Sequence, residues 1–136
     1  GKDHPGLHAL NTKFQIHHWG YLNSQERLNE FYSLADLLVN PSVYETFGLT
    51  NVEAMACGTP VAAFPVCTMP ELITKASGWL ASDVSAESLA DVIQLAFSSP
   101  QELRDRGISS RHLVETTFNE SNMLDQFEDL YERVLL

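Results

Sequence analysis

The chain has 136 residues, 44% of them hydrophobic and 19% charged, a composition typical of one globular domain with one hydrophobic core. Its formal net charge of −10 argues against nucleic acid and anionic lipid as partners, because both bind basic surfaces. No stretch approaches the roughly 20 apolar residues of a membrane helix and no charged-then-apolar leader opens the chain. We therefore expect a cytoplasmic location and leave open a peripheral position at the inner membrane face for a full-length protein.

Strands and helices alternate in the first part of the predicted structure. Residues 1–12 are predicted as loop, and residues 14–18 as a short strand that ends in a turn at Gly20. Ser24 is placed to cap a helix whose apolar residues recur at helical spacing. The apolar run at residues 37–39 is typical of a strand buried on both faces.

The alternation continues after a loop at residues 42–49, which leads into a helix at residues 50–57 ended by Gly58. The later elements are strands at 60–64 and 78–81, one helical turn at 70–74, and helices at 86–98 (capped by Ser85), 101–116 and 121–135 (capped by Asn119). This order predicts an α/β fold with a parallel sheet flanked by helices. In such sheets ligands bind beyond the carboxyl ends of the strands, so the loop at 42–49 is the first candidate for a site.

Two carboxylates define that candidate: Glu45 on the loop and Glu53 in the following helix, with seven residues between them. Gly48 lets the backbone turn sharply and approach a ligand. The free N–H groups at the start of the helix favour a phosphate, and ionised carboxylates accept hydrogen bonds from sugar hydroxyls. The pattern indicates a site for an anion flanked by two polyols, with Glu45 on a hexose and Glu53 on a ribose.

Simpler interpretations of these residues stay open. Thr50 and Glu53 fit a capping box, in which the glutamate bonds back to its own helix start. Glu45 alone would be a solvated loop acid. The neighbouring His17 and His18 would point to opposite faces of a strand, which argues against a metal site.

Two further patterns lie outside the loop. Cys57 and Cys67 have no metal-ligand spacing and are predicted to be small buried side chains. Apolar residues in the last helix lie on one face, which favours core packing; they are Met123, Phe127, Leu130 and Tyr131.

The segment from Pro41 to Val61, PSxxExFGLxxxEAMAxGxPV, resembles the signature of the retaining group 1 glycosyltransferases (glycosyltransferase family 4). Its surroundings resemble that family over about residues 14–135. The resemblance implies the GT-B architecture, in which two Rossmann-like domains face a cleft. This chain would be a single partial domain, the carboxy-terminal nucleotide-sugar-binding one, without its first strand–helix unit and without the acceptor domain. The resemblance also implies that the last helix crosses towards that missing domain.

The resemblance also implies a reaction and a set of roles. The reaction is hexosyl transfer from a nucleotide-diphosphate sugar to a saccharide or lipid acceptor, with retention at the anomeric carbon, no cofactor besides the donor and no metal, as in polysaccharide biosynthesis. Glu45 would contact the transferred sugar and Glu53 the ribose. The remaining implied contacts are Thr46, Phe47, Gly48 and Leu49 for the sugar and diphosphate, Thr50 for the phosphates, and Gly20 and Tyr21 for the nucleobase.

The chain departs from the family pattern in three places. The stretch Val66–Glu71 stands where many members carry a pair of glycines before Pro-Glu, and Thr46 stands where glycine is common. No Lys or Arg occurs from Leu28 to Thr74, although the family places an Arg and a Lys against the diphosphate. A helix terminus contributes only roughly 0.3–1 kcal/mol per charge, so we expect the cations on upstream sequence and little activity from this chain alone.

Alternatives on the same architecture are a non-catalytic nucleotide-sugar-binding or interaction module and a nucleotide-sugar epimerase. A pyridoxal-phosphate phosphorylase needs a lysine at the cofactor, and none lies between Lys13 and Lys75. A dinucleotide oxidoreductase is disfavoured because the G-x-G-x-x-G pattern is absent from the sequence.

Overall fold

The computed structural model describes residues 14–135, in which helices flank a small sheet. The elements in chain order are α1 (Gln25–Leu34), β1 (Leu38–Asn40), α2 (Leu49–Ala56), β2 (Val61–Ala63), α3 (Met69–Leu72), β3 (Gly78–Leu80), α4 (Ala86–Phe97), α5 (Pro100–Thr117) and α6 (Glu120–Leu135). The loop predicted for residues 1–12 lies outside the described residues.

The sheet has three parallel strands in the order β1-β2-β3, which confirms the predicted α/β class. Leu38 pairs with Val61, and Val61 pairs with Gly78, so the strands are in step along the sheet. Their carboxyl ends therefore lie at one edge, where the loop before α2 and the segment before α3 both emerge.

Strand β2 forms the centre of the core, and it is buried on both faces. Val61 and Ala63 pack on one face with Met55 of α2 and residues of α3, while Ala62 packs on the other face with α4 and α5. Full burial of one large apolar side chain contributes roughly 1.5–3 kcal/mol, so this double-sided packing holds the sheet between its helices.

Two expectations about strands are wrong. Residues 14–18 form no strand with any described residue. A strand needs hydrogen bonds from a neighbour, and the described sheet ends at β1. The run at residues 37–39 is not buried on both faces, since the side chain of Val39 is 37% exposed. Among the described residues β1 has a neighbouring strand on one side only, so its residues are only partly covered.

The predicted helix caps are confirmed at three helices. Ser24, Ser85 and Asn119 each accept a hydrogen bond from the backbone N–H three residues later, at 3.3, 3.1 and 2.9 Å. Each such cap satisfies one of the N–H groups that a helix start leaves unpaired, and contributes roughly 1 kcal/mol.

Helix α2 ends as predicted at Gly58, whose φ is +83°. The N–H of Gly58 bonds to the carbonyl of Met55, and the N–H of Thr59 bonds to that of Ala54, both at 2.9 Å. These two bonds form a Schellman motif, which favours glycine at the left-handed position.

The apolar face predicted on the last helix is present on α6, but it is not core packing. No residue of α6 is buried, and Met123, Phe127, Leu130 and Tyr131 are each about half exposed or more. Met123, Phe127 and Leu130 of this face border a groove of about 710 Å3, together with Phe47 and Phe118. No helix in the described part of the chain is both long and apolar enough to cross a membrane.

Candidate functional site

Gly48 shapes the bend at the start of α2. It is the residue that precedes the helix, it is buried, and its φ of +86° lies in the left-handed region. A Cβ at this position would lie 2.6 Å from Cε of Met69 and 2.9 Å from Nδ2 of Asn51. Both the backbone angle and the lack of space therefore require glycine here.

The start of α2 presents free backbone donors. The N–H groups of Asn51 and Val52 bond to the carbonyl of Gly48 at 2.9 and 3.1 Å. Within residues 14–135, the N–H groups of Leu49 and Thr50 have no hydrogen-bond partner, and both residues are exposed. Such groups, with the positive end of the helix dipole, suit an anion.

Glu45 lies beside this helix start. Its Cγ would be 3.5 Å from a Cβ on Gly48, and its Oε1 accepts a hydrogen bond from the N–H of Thr46 at 3.1 Å. The side chain is half-buried. One carboxylate oxygen is thus held against the loop, and the other has no protein partner among the described residues and can accept from a ligand hydroxyl.

Glu53 does not form the capping box with Thr50. The helix begins at Leu49, one residue earlier than predicted, and Gly48 occupies the capping position without a side-chain bond. Glu53 instead accepts a hydrogen bond at Oε2 from the hydroxyl of Tyr32 on α1, at 3.0 Å. Burial, and next the bond to Glu53, raise the pKa of Tyr32 to about 12, so this phenol stays a donor at neutral pH.

The two acids lie at different positions along α2. Glu45 touches the helix start, and Glu53 is five residues beyond Gly48, which corresponds to about 7.5 Å along the helix axis. Glu45 bonds back to its own loop, whereas Glu53 bonds to Tyr32 of α1, so different elements orient the two carboxylates. No lysine or arginine lies in the chain from Leu28 to Thr74, so the two acids are not neutralised by this stretch.

The segment that holds Gly20 and Tyr21 packs against α1. Gly20 has a φ of +64°, as expected of a turn, and Tyr21 is 92% exposed. The preceding Trp19 contacts Phe31 edge-on, with ring centroids 5.9 Å apart. Phe31 and Tyr32 are neighbours on α1. This helix therefore contacts the segment of the Gly20 turn through Phe31 and binds Glu53 through Tyr32.

A buried amide network, which sequence reasoning missed, holds the bend in place. The side chain of Asn51 is fully buried; it accepts a hydrogen bond from Nδ2 of Asn40 and donates one to Sδ of Met69, each at 3.0 Å. Asn40 in turn accepts from the N–H of Ser42 at 3.0 Å. The network joins the end of β1 to the start of α2 and to α3. The one feature of the sequence that could have predicted it is an asparagine on the apolar side of a helix.

Thr68 is a second residue missed from sequence. Its hydroxyl donates to the carbonyls of Thr46 and Phe47, at 3.0 and 3.3 Å, and so holds the loop against the segment before α3.

The neighbouring Cys67 is exposed and has a φ of +49°. The prediction that both cysteines are buried is wrong: Cys57 is half-buried, and Cys67 faces outward on a tight turn. In the described part of the chain, no group of three His, Cys, Asp or Glu could hold a metal ion.

The comparisons with known proteins identify the class of this domain: it is a glycosyltransferase domain. The sequence model of the family described as "Glycosyl transferases group 1" matches residues 7–112, more than half of the chain. The chain belongs to the group 1 glycosyl transferases.

The chain is similar both to a known sequence and to solved structures. The chain is 31% identical over 115 residues to alpha-maltose-1-phosphate synthase of Mycolicibacterium smegmatis, covering 79% of this chain and 30% of that protein. The solved structure of sucrose-phosphate synthase from Thermosynechococcus elongatus aligns with a TM-score of 0.82 and 34% identity, over 96% of this chain and 33% of that one. HepE of Anabaena, solved with UDP and glucose, aligns with a TM-score of 0.78 and 22% identity, over 94% of this chain and 36% of that one.

These neighbours have the GT-B fold, which agrees with the fold that the sequence signature implies. The chain spans about a third of the length of these proteins.

Proposed function

We propose that this chain is the donor-binding domain of a retaining glycosyltransferase. It binds a nucleotide-diphosphate sugar and supports transfer of the hexosyl group to a saccharide or lipid acceptor. The acceptor would bind to another domain of the complete enzyme, with this chain as the carboxy-terminal one. The observation that carries the proposal is the bend at Gly48, which presents the free N–H groups of Leu49 and Thr50 next to Glu45.

The proposed binding mode follows the order of groups along the donor. The backbone from Thr46 to Leu49 lines the sugar and diphosphate, and Thr50 lies beside the phosphates at the helix start. Glu45 accepts from the hydroxyls of the transferred sugar with the oxygen that the loop leaves free. Glu53 accepts from the ribose hydroxyls, and the turn at Gly20 and Tyr21 receives the nucleobase.

The proposed chemistry rests on positioning and on stabilising the departing diphosphate. The acceptor oxygen forms a bond to the anomeric carbon on the face from which the phosphate leaves. The bond between the anomeric carbon and the diphosphate oxygen breaks. The acceptor proton passes to the departing phosphate. This route needs no general base from the chain. It does need cations on the diphosphate, and these must come from outside the stretch Leu28–Thr74.

The test is Glu45→Ala in the complete enzyme. We expect transfer to fall by at least about a hundredfold, the scale on which loss of one positioned polar group in an active site acts. The dissociation constant for the nucleoside diphosphate should stay within about threefold, because Glu45 contacts the sugar and not the nucleotide.

Asp91→Ala is the matched control, since Asp91 is an exposed acid on α4, away from the bend. It should leave both transfer and nucleotide affinity unchanged. Unchanged turnover in Glu45→Ala would refute the proposed role of Glu45.

A further inference from the structure

We propose that Tyr32 is a positioning residue for donor recognition: its hydroxyl orients the Glu53 carboxylate toward the ribose, so Tyr32 sets the preference for ribonucleotide donors. The inference rests on the proposed role of Glu53. It assigns a function to a residue on a different helix, 21 positions away in the chain.

The geometry leaves Glu53 ready to bind. Its Oε2 accepts one hydrogen bond, from the hydroxyl of Tyr32 at 3.0 Å, and no other bond to this side chain occurs among the described residues. An ionised carboxylate has about four acceptor positions. The bond to Tyr32 therefore fixes the orientation and still leaves Oε1 for hydroxyls of a ligand.

Tyr32 itself is held firmly enough to serve as a fixed donor. The residue is 5% exposed, and its ring contacts Phe31 edge-on at 5.9 Å. Its backbone carbonyl accepts a hydrogen bond of 2.6 Å from the hydroxyl of Thr59, which follows the end of α2. Tyr32 thus joins α1 to α2 through its side chain at Glu53, and to the segment after α2 through its backbone at Thr59.

The direction of the hydrogen bond is also fixed. Burial, together with the neighbouring carboxylate, keeps the phenol protonated far above neutral pH, so it donates to Glu53 throughout the physiological range. Without this donor, the flexible glutamate side chain would have to be ordered by the ligand. Ordering one such side chain lowers affinity by about five- to tenfold.

The experiment uses Tyr32→Phe in the complete enzyme, because phenylalanine keeps the ring packing and removes only the hydroxyl. The dissociation constants of UDP and GDP and of their 2′,3′-dideoxy counterparts are measured by calorimetry. We expect the affinity for the ribonucleotide that the enzyme binds to fall by about five- to tenfold, and the affinity for its dideoxy form to fall by less than twofold. The KM for the donor should rise and kcat should stay unchanged.

Two further variants separate the possible failures. Thr59→Val removes the backbone bond and leaves the phenol in place, so it should lower the melting temperature without changing the ratio of ribo to dideoxy affinity. Glu53→Ala should make the affinities for the ribo and dideoxy forms equal. Adding Tyr32→Phe to Glu53→Ala should have no further effect on binding.

The outcomes are distinct. If Glu53→Ala abolishes the preference but Tyr32→Phe weakens both ligands equally or neither, Tyr32 is not a positioning residue and the proposed function stands. If Glu53→Ala keeps the preference, Glu53 does not bind the ribose and this inference fails with that role.

Discussion

Cys67 has a backbone conformation that residues with a Cβ rarely adopt, with a φ of +49°. It lies in the stretch where the resembled family commonly has a pair of glycines. A glycine at this position would remove backbone strain of roughly 1–2 kcal/mol from the folded state. It would also lower the free energy of unfolding by roughly 0.5–1 kcal/mol, because glycine gives the unfolded chain more conformational freedom. We therefore expect Cys67→Gly to raise the free energy of unfolding of the chain by about 0.5–1 kcal/mol, as measured by urea denaturation.

Cys67→Ala is the control for this prediction, because alanine removes the thiol and keeps the Cβ. Its free energy of unfolding should stay within about 0.5 kcal/mol of the parent value, since exposed substitutions without special features have small effects. A glycine variant no more stable than the alanine variant would show that the turn is not strained.

Single residues differ in how far the sequence reveals their role. Gly48 and Gly58 are predictable, since a glycine between two apolar patterns marks a turn or a helix end. The bond from Tyr32 to Glu53 is not, because it joins residues 21 positions apart through the packing of two helices. The capping-box pattern even favoured a different partner for Glu53, since it contains no information about α1.

Helix α5 packs against the end of α2 through two glycines. A Cβ on Gly107 would lie 2.3 Å from the carbonyl oxygen of Gly58, which belongs to the backbone and cannot turn aside. In an isolated helix, Gly→Ala would gain roughly 1 kcal/mol. Here we expect Gly107→Ala to lower the free energy of unfolding by about 1–3 kcal/mol, because the helices must separate.

The control for the helix contact is His112→Ala, at an exposed position of the same helix. It should be neutral or slightly stabilising, by up to about 0.5 kcal/mol, as alanine is the better helix former. Both variants are compared by urea denaturation. Equal or greater stability of Gly107→Ala would mean that α5 and α2 do not meet as closely as the structure has it.

Elements with local signals were predicted well, and elements that depend on distant partners were not. The helices at Ser24, Ser85 and Asn119 carry their own caps, and the structure confirms all three. The strand predicted at residues 14–18 has a suitable local pattern, but a strand exists only with a neighbour. Likewise, the burial of residues 37–39 depends on the position of β1 at the sheet edge, which its apolar sequence does not encode.

Electrostatics at the scale of the whole chain limits what it does alone. The net charge is −10, and two arginines of α5 pair with acids of the same helix, Arg106 with Glu102 and Arg111 with Glu115. A nucleoside diphosphate would meet two acids and the helix start, without a cation from Leu28–Thr74. The sequence predicted this deficit, because it follows from the composition of one stretch and not from packing.

We therefore expect the 136-residue chain on its own to bind UDP and GDP no more tightly than about 1 mM, or below detection, in calorimetry. A helix start supplies roughly 0.3–1 kcal/mol per charge, whereas a dissociation constant of 1 mM already corresponds to about 4.1 kcal/mol. Raising the salt concentration should not weaken the residual binding, because screening reduces repulsion from the acids as much as any attraction.

The control is the complete enzyme under the same conditions, which should bind the nucleotide more tightly and lose affinity as salt rises, as expected of phosphate contacts with Lys and Arg. Submicromolar binding by the chain alone would contradict the argument, since the helix start would then hold a diphosphate without cations. Binding much tighter than about 1 mM that is lost as salt rises would contradict it as well, because it would locate an effective cation within these 136 residues.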